Sequence, residues 1–294
     1  METVAQRVER GKALSLKLLA GCFVLSMIVT NDVALVVMVP LTLSLNVRYK
    51  DWLVIFEALA ANAGSALTPF GNPQNLFIYW FYNLEAKEFI ASIAPFSLAF
   101  LALLLIAAWR LKTPATEVRK PPARILRTSW IFALLLLLVL LTALRLLPLW
   151  TAAVALAVSF LFQRSAFRVD YSLLLSFFFF FGLAENLKTL LTAELAHSGH
   201  VFLFSALASQ IMSNVPATLL FAKFTGNWEA LLWGSNAGGF GSLFASLANL
   251  IAYRFYVSQE NSTDNKVFTL KFLVAGYTAF FLAIGWYFLV QNFH

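Results

Sequence analysis

Apolar residues run through the chain in long stretches, each broken by a short polar cluster. Residues 14–45 are apolar except for Thr30-Asn31-Asp32 near the middle, with Pro40 beyond. Such a run predicts one tilted span or two half-spans that meet at the cluster. The hairpin is favoured, because its tip puts Asp32 and freed backbone into a cavity and not into lipid. Residues 52–82 are apolar again, interrupted from Asn62 to Asn75 by two Gly, two Pro, three Asn and a Thr. Gly and Pro at this density break helix hydrogen bonding, so a discontinuous helix is predicted. Plain spans follow at 89–109, 129–147, 149–163 and 171–191. Residues 201–224 repeat the hairpin pattern around Ser213-Asn214-Val215-Pro216, 228–256 repeat the Asn/Gly-rich interruption, and 267–290 form a last span. Residues 1–13 are polar and predict a short interfacial helix, while 113–128 read as a linker.

The polar clusters are themselves repeated. Ser26-Met27-Ile28-Val29-Thr30-Asn31 aligns without a gap on Ser209-Gln210-Ile211-Met212-Ser213-Asn214. The stretch from Asn62 through Gly64, Ser65, Thr68, Gly71 and Asn72 to Asn75 aligns on Asn236, Gly238, Gly239, Ser242, Ala245, Ser246 and Asn249. Two motifs recurring in the same order imply internal repeats, 1–112 and 129–294.

Composition fixes the environment. Apolar residues make up 61% of 294, charged residues 12%, and the mean hydropathy is +0.79. Soluble domains are roughly half apolar and a quarter charged, so this is an all-α integral membrane protein. The net charge of +7 does not point to nucleic acid. If each hairpin returns to its starting side and each broken helix crosses, all Lys and Arg except Lys87, Arg145, Lys188 and Lys223 fall on one side. That asymmetry marks the cytoplasmic face. It places the N-terminus in the cytoplasm and the C-terminus outside, in an inner membrane, and makes the two repeats inverted. Lys223 reads as a snorkelling residue.

Most other polar residues have plain readings. Cys22 stands alone, so no disulfide or metal framework exists. His197 and His200 lack a carboxylate or Cys to complete a metal set. The Phe177–Phe181 run is packing, and Glu185 with Asn186 lies close to an interface. No Gly-Lys-Ser/Thr loop is present, which argues against an ATP-driven pump or other nucleotide enzyme.

The broken segments carry the chemistry. Inverted repeats with broken helices near the midplane are the mark of a secondary transporter working by alternating access. Asp32 is the one deeply placed acceptor recognised in the sequence for a proton or cation. Asn carbonyls, Ser and Thr hydroxyls and freed backbone carbonyls suit sodium, whereas half-helix N-termini suit an anion's oxygens.

These motifs resemble the ion transporter superfamily, which includes citrate and dicarboxylate carriers, arsenite permeases and some sodium/proton antiporters. The resemblance covers nearly the whole chain. It implies that the tips, Thr30, Asn31, Asp32, Ser213 and Asn214, hold the substrate. It also implies that each tip forms a cation site with its neighbouring loop, Asn62, Gly64 and Thr68 in one half and Asn236, Gly238 and Ser242 in the other. Asp32 and Val215 replace the third residue of the dicarboxylate tip, and Asn31-Asp32 followed by Pro40 is similar to the arsenite-permease pattern. The wording as a whole is most similar to citrate-transporter-like members. Three functions are therefore expected: a cation-coupled carrier of a small citrate- or dicarboxylate-like anion, an arsenite exporter or sodium/proton antiporter using Asp32, or a truncated, non-transporting subunit. The last rests on residues 1–13, which precede the first hairpin where three spans precede the second. Sodium or a proton is the expected coupling ion, no other cofactor is implied, and the expected partners are the bilayer and a second copy in a homodimer.

Overall fold

Every polar interruption coincides with the end of a helix. In a computed structural model, the described residues are 7–9, 11–45, 47, 49–111, 116–118, 127–162, 175, 179, 198–259 and 264–291. Apart from Leu175 and Phe179, the predicted span 171–191 with Glu185 and Asn186 lies outside them, as does His197. The first run splits into α1 (Gly11–Ile28) and α2 (Asn31–Ser44). Thr30 caps α2, its hydroxyl accepting from Val33 N at 3.4 Å, which satisfies one of the first-turn amides that the helix leaves open. The second run splits into α3 (Lys50–Ala66) and α4 (Pro73–Phe81). Here Asn72 caps Asn75 N at 2.9 Å, and Pro73 occupies a first-turn position where its missing N–H costs nothing. The chain continues through α5 (Ala86–Arg110), α6 (Arg127–Ala143), α7 (Trp150–Phe162), α8 (Ser198–Met212), α9 (Asn214–Ala222), α10 (Trp228–Gly238), α11 (Leu247–Val257) and α12 (Asn265–Gln291).

The reading of residues 1–13 as an interfacial helix needs correction. Arg7–Glu9 form a strand, β1, paired antiparallel with β2, Thr116–Val118, so that Arg7 faces Val118 and Glu9 faces Thr116. Alternating Arg, Val and Glu fit a two-residue period better than a helical one. The helix α1 then begins at Gly11.

The chain forms two units. One, which includes Arg119–Phe179, contains α6 and α7, packed on each other with the Thr142 and Thr151 hydroxyls 2.6 Å apart. The other contains both strands and the remaining helices. Among these, α5 and α12 are apolar and long enough to cross a bilayer. Their outer sides present Leu98, Leu103 and Ile106, and Leu270, Val274 and Phe281, as exposed residues, a surface suited to acyl chains and not to water. By contrast α2, with 14 residues, is about 21 Å long at 1.5 Å per residue, short of a hydrocarbon core of about 30 Å.

In the larger unit α3 is the central helix, buried along most of its length and packed by α1, α2, α5, α11 and α12. The helix α10 holds the matching place against α8, α9 and α5. The short helices cross over: α11 packs on α2 and α3, and α4 packs on α9 and α10. At the end of α4 the Tyr82 hydroxyl shares its proton between the carbonyls of Ala222, the last residue of α9, and Thr225 beyond it, at 2.9 and 2.8 Å. Each half-helix is thus held by the other half of the chain.

An ion pair fixes α12 on α3: Lys271 Nζ lies 2.6 Å from Asp51 Oδ2 and 5.7 Å from the centroid of the Trp52 ring. It is partly open to solvent, so Lys271→Ala is expected to lower stability by only about 1 kcal/mol, read as a small drop in the thermal unfolding midpoint. Lys271→Arg restores most of it.

Candidate functional site

Both tips dock on the loop of their own broken helix by the same bonds. Asn31 N donates to Gly71 O at 3.1 Å, and Asn214 N to Ala245 O at 2.9 Å. The Thr68 hydroxyl donates to Met27 O at 2.8 Å, and the Ser242 hydroxyl to Gln210 O at 3.0 Å. Gly64 lies against Phe23 and Ser26 of α1, and Gly238 against Ala206 and Ser209 of α8. A β-carbon at either glycine would meet those atoms, which is why a continuous helix face carries no side chain there.

A buried amide network then ties the halves together. Asn62 Nδ2 donates to Asn249 Oδ1 at 2.8 Å, and Asn236 Nδ2 donates to Asn75 Oδ1 at 2.8 Å. Asn62 Oδ1 accepts from the Ser246 hydroxyl at 3.1 Å, and Asn236 Oδ1 from Asn72 Nδ2 at 3.3 Å. Asn75 Nδ2 donates to the carbonyls of Ser65 and Thr68, and Asn249 Nδ2 to those of Gly239 and Ser242. Each pair of bonds joins residues that align with one another in the sequence. The first tip enters the same network through Asn31 Nδ2, which donates to Asn62 Oδ1 at 3.1 Å. A β-carbon on Gly239 would stand 3.0 Å from Asn214 Nδ2 and 3.8 Å from Asn62 Oδ1. The surroundings of both tips therefore meet at Gly239. Unpaired amides are costly in so dry a place, so mutual pairing is the condition for burying them.

The two halves also differ, and the differences carry polarity. Asp32 aligns with Val215. Its amide donates to Asn31 Oδ1 at 3.0 Å, while its Oδ1 is buried without a partner. The first turn of α2 is closed by Thr30, Asn31 and Gly71. In α9, Ser213 supplies no cap and sits at φ +73, a conformation strained for a residue with a side chain. Its hydroxyl makes only long contacts, 3.5 Å to Asn214 Oδ1 and 3.4 Å to Ala245 O. Gln210 replaces Met27, and its Nε2 collects the carbonyls of Ala206, Gly238 and Phe240 at 3.3, 2.9 and 3.1 Å.

A sodium ion needs several oxygens free of competing donors, as hard cations do. In the two loops the carbonyls of Ser65, Ala66 and Thr68 accept from Asn75, those of Gly239 and Ser242 from Asn249, and those of Gly238 and Phe240 from Gln210, while the Thr68 and Ser242 hydroxyls donate to the tips. As arranged, Asn62 Oδ1 and the carbonyls of Gly239, Thr68 and Ser242 each accept two hydrogen bonds and are closed to such an ion, whereas the Thr68 and Ser242 hydroxyl oxygens keep lone pairs. Of the residues predicted to hold substrate, Asn31 and Asn214 are buried and bonded, whereas Thr30, Asp32 and Ser213 keep free capacity at the tips.

Sequence reasoning passed over Asn72, Asn75, Ser246 and Asn249 as ligating groups, although their alignment marked them. It also passed over Glu57, a carboxyl in the middle of an apolar run, for which the general cost of an intramembrane charge was the available signal. His200 is exposed, and no cluster of three or more His, Cys, Asp or Glu occurs among the described residues.

Comparison with known proteins places these features. The family model described as citrate transporter matches residues 1–238. An uncharacterized transporter of Methanocaldococcus jannaschii is 37% identical over 263 residues, covering 84% of this chain and 72% of that protein. The inner membrane protein YbiR of Escherichia coli is 38% identical over 269 residues, 85% of this chain and 72% of that protein. The silicon efflux transporter LSI3 of Oryza sativa subsp. japonica is 32% identical over 115 residues, 36% of this chain and 24% of that protein.

Proposed function

Since the chain belongs to the citrate transporter family, we propose that it is a secondary active carrier of a small citrate- or dicarboxylate-like anion, coupled to protons and working by alternating access. The observation that carries this reading is the bond-for-bond repetition of tip, loop and amide network across the two halves, with α4 and α11 exchanged. In this reading α1–α2 and α8–α9 are re-entrant hairpins of inverted repeats, opening from opposite sides of the membrane, and the repeats rock about the shared network. The N-terminus is cytoplasmic, the C-terminus is outside, and a second copy completes a homodimer.

The asymmetry of the tips assigns the roles. At the second tip, the Val215 amide, the one N–H left open in the first turn of α9, and the Ser213 hydroxyl offer donors to an anion's oxygens. At the first tip Asp32 stands where an anion would be repelled unless the carboxyl is neutral. A proton on Asp32 removes that repulsion, and the paired hydrogen bonds on the Thr68, Gly239 and Ser242 carbonyls favour a proton over sodium as the coupling ion. A second reading, export of an undissociated hydroxide such as arsenite or silicic acid against protons, is favoured by Asp32 and by the likeness of one segment to a protein named a silicon efflux transporter.

Thermal unfolding of the purified protein against citrate, succinate, arsenite and silicic acid, with and without sodium at acid and neutral pH, tests the proposal. A ligand of the folded state at 100 times its Kd adds about 2.7 kcal/mol. The expected result is a carboxylate-dependent rise that needs no sodium, is larger at acid pH, and loses its pH dependence in Asp32→Asn. A strictly sodium-dependent rise defeats proton coupling, and a rise with arsenite or silicic acid alone selects the exporter. No response from well-folded protein favours a non-transporting subunit.

A further inference from the structure

Glu57 is the most deeply buried carboxyl group among the described residues, with no measurable exposure, and neither tip uses it. It sits on α3 facing α2. The Thr42 hydroxyl donates to its Oε1, and its Oε2 is buried with no partner at all. Five residues along α3, about 7 Å at 1.5 Å per residue, lies Asn62 of the amide network. Six residues the other way lies Asp51, in the partly exposed ion pair with Lys271. Glu57 thus stands between the solvent-facing end of α3 and the candidate site.

No cation compensates it among the described residues. From α1 comes the Cys22 thiol, which donates to the Glu57 backbone carbonyl at 3.4 Å, while Lys12 lies over the Trp109 ring and Lys17 is exposed. From α2 comes Thr42, with Asp32 at the opposite end of that helix. On α3 itself, Lys50 donates to Leu43 O. On α5, Lys87, Glu88 and Arg110 occupy the two ends, and on α10 Glu229 lies in the first turn. Arg254 of α11 and Lys266 of α12 are exposed, and Lys271 is held by Asp51.

The scaffold does not require a carboxyl here. Extending the alignment of Asn62 on Asn236 puts Glu57 opposite Leu231, also fully buried, in the corresponding helix α10. An apolar side chain fills that place in one half, and an acid fills it in the other. A carboxylate reached by one hydroxyl would be left with most of its acceptor capacity unmet in a dry interior. A carboxylic acid, its proton on Oε2, fits the same space without a counter-ion.

We propose that Glu57, with Thr42, is a second proton-binding site of this protein, sealed between α2 and α3. It holds its proton in the arrangement seen here and exchanges it when α2 moves off α3. The step is a plain protonation: the O–H bond of Glu57 breaks, the proton passes to water, and the charge left behind is solvated by the opening. Its role in coupling rests on the proton-coupled transport reading; the proton site itself does not.

The test is infrared difference spectroscopy of the purified full chain between acid and alkaline buffer. The wild type is expected to show a carboxylic-acid carbonyl band that fades at alkaline pH. Glu57→Gln abolishes that component, Asp32→Asn retains it, and Thr42→Val shifts its position because the hydroxyl no longer donates. A wild-type difference spectrum that Glu57→Gln leaves unchanged, or a Glu57 component indifferent to pH, overturns the proposal. If Glu57→Gln does not fold, an unshifted band in Thr42→Val does the same. If the signature holds while flux of every panel compound is independent of pH, the proton site stands and proton-coupled transport falls.

Discussion

Asn62→Ala lowers stability by about 3 kcal/mol or more, the largest loss expected from a single side-chain truncation in the network. Its amide uses both donors and both acceptor positions: Asn249 Oδ1 and Gly239 O on one side, Asn31 Nδ2 and the Ser246 hydroxyl on the other. Alanine leaves Asn249 Oδ1 without its donor and the Ser246 hydroxyl proton without its acceptor, and removes the shorter of the two bonds made by Asn31 Nδ2. A buried polar group left unmatched costs about 1–3 kcal/mol. Asn236→Ala is expected to cost less, since Asn72 retains Ser65 Oγ at 3.2 Å as an acceptor and the Leu232 carbonyl lies within helix α10. Thermal unfolding midpoints in one detergent rank the two. A double-mutant cycle of Asn62→Ala with Asn249→Ala should give a strongly non-additive coupling, as bonded neighbours do. Midpoints of Asn62→Ala and wild type that coincide would show that the network does not join the halves.

Gly64→Ala is expected to destabilise comparably, through space and not through polarity. The added methyl would run into the Phe23 carbonyl and the Ser26 hydroxyl, and the carbonyl belongs to the backbone of α1, which cannot rotate away. Overpacking costs about 1–3 kcal/mol where side chains can shift, and a backbone obstacle puts this site at the upper end. The displaced α1 also takes Met27 O off the Thr68 hydroxyl and loosens the first tip. Gly285→Ala is the control: nothing lies within 4 Å of its added carbon, and helix propensity alone makes it neutral or stabilising by up to about 1 kcal/mol. The comparison is read from unfolding midpoints and from the fraction of protein eluting as a single species. Equal midpoints for the two alanine variants would mean that α1 does not pack on Gly64 as described.

Much of the candidate site was legible because hydrocarbon penalises polar residues so heavily that each one marks a position. Thr30, Asn31, Asn62, Asn214 and Asn236 could be singled out from their surroundings alone, and their recurrence in order revealed the repeat. What they bond to was not legible. The contacts of Asn62 with Asn249 and of Asn75 with Asn236 join residues 187 and 161 positions apart, and no local pattern carries such pairings. Glu57 escaped notice because one carboxyl between Phe56 and Ala58 has no motif around it. Only the helix that packs across it, bringing Thr42 to one oxygen and nothing to the other, gives it meaning. The strand at Arg7–Glu9 was missed for the same reason, since its partner Thr116–Val118 is remote.

By itself, then, the sequence determined the membrane environment, the positions where helices break, and the pairing of one half's motifs with the other's. These follow from composition and local backbone chemistry, which act over a few residues and do not depend on what lies opposite. The tertiary structure alone decided that α4 and α11 change places, that loop carbonyls are met by amides, and that Asp32 Oδ1 and Glu57 Oε2 are buried without a partner. Those outcomes depend on which surfaces meet, because a buried donor or charge is stable only with the partner that packing brings to it.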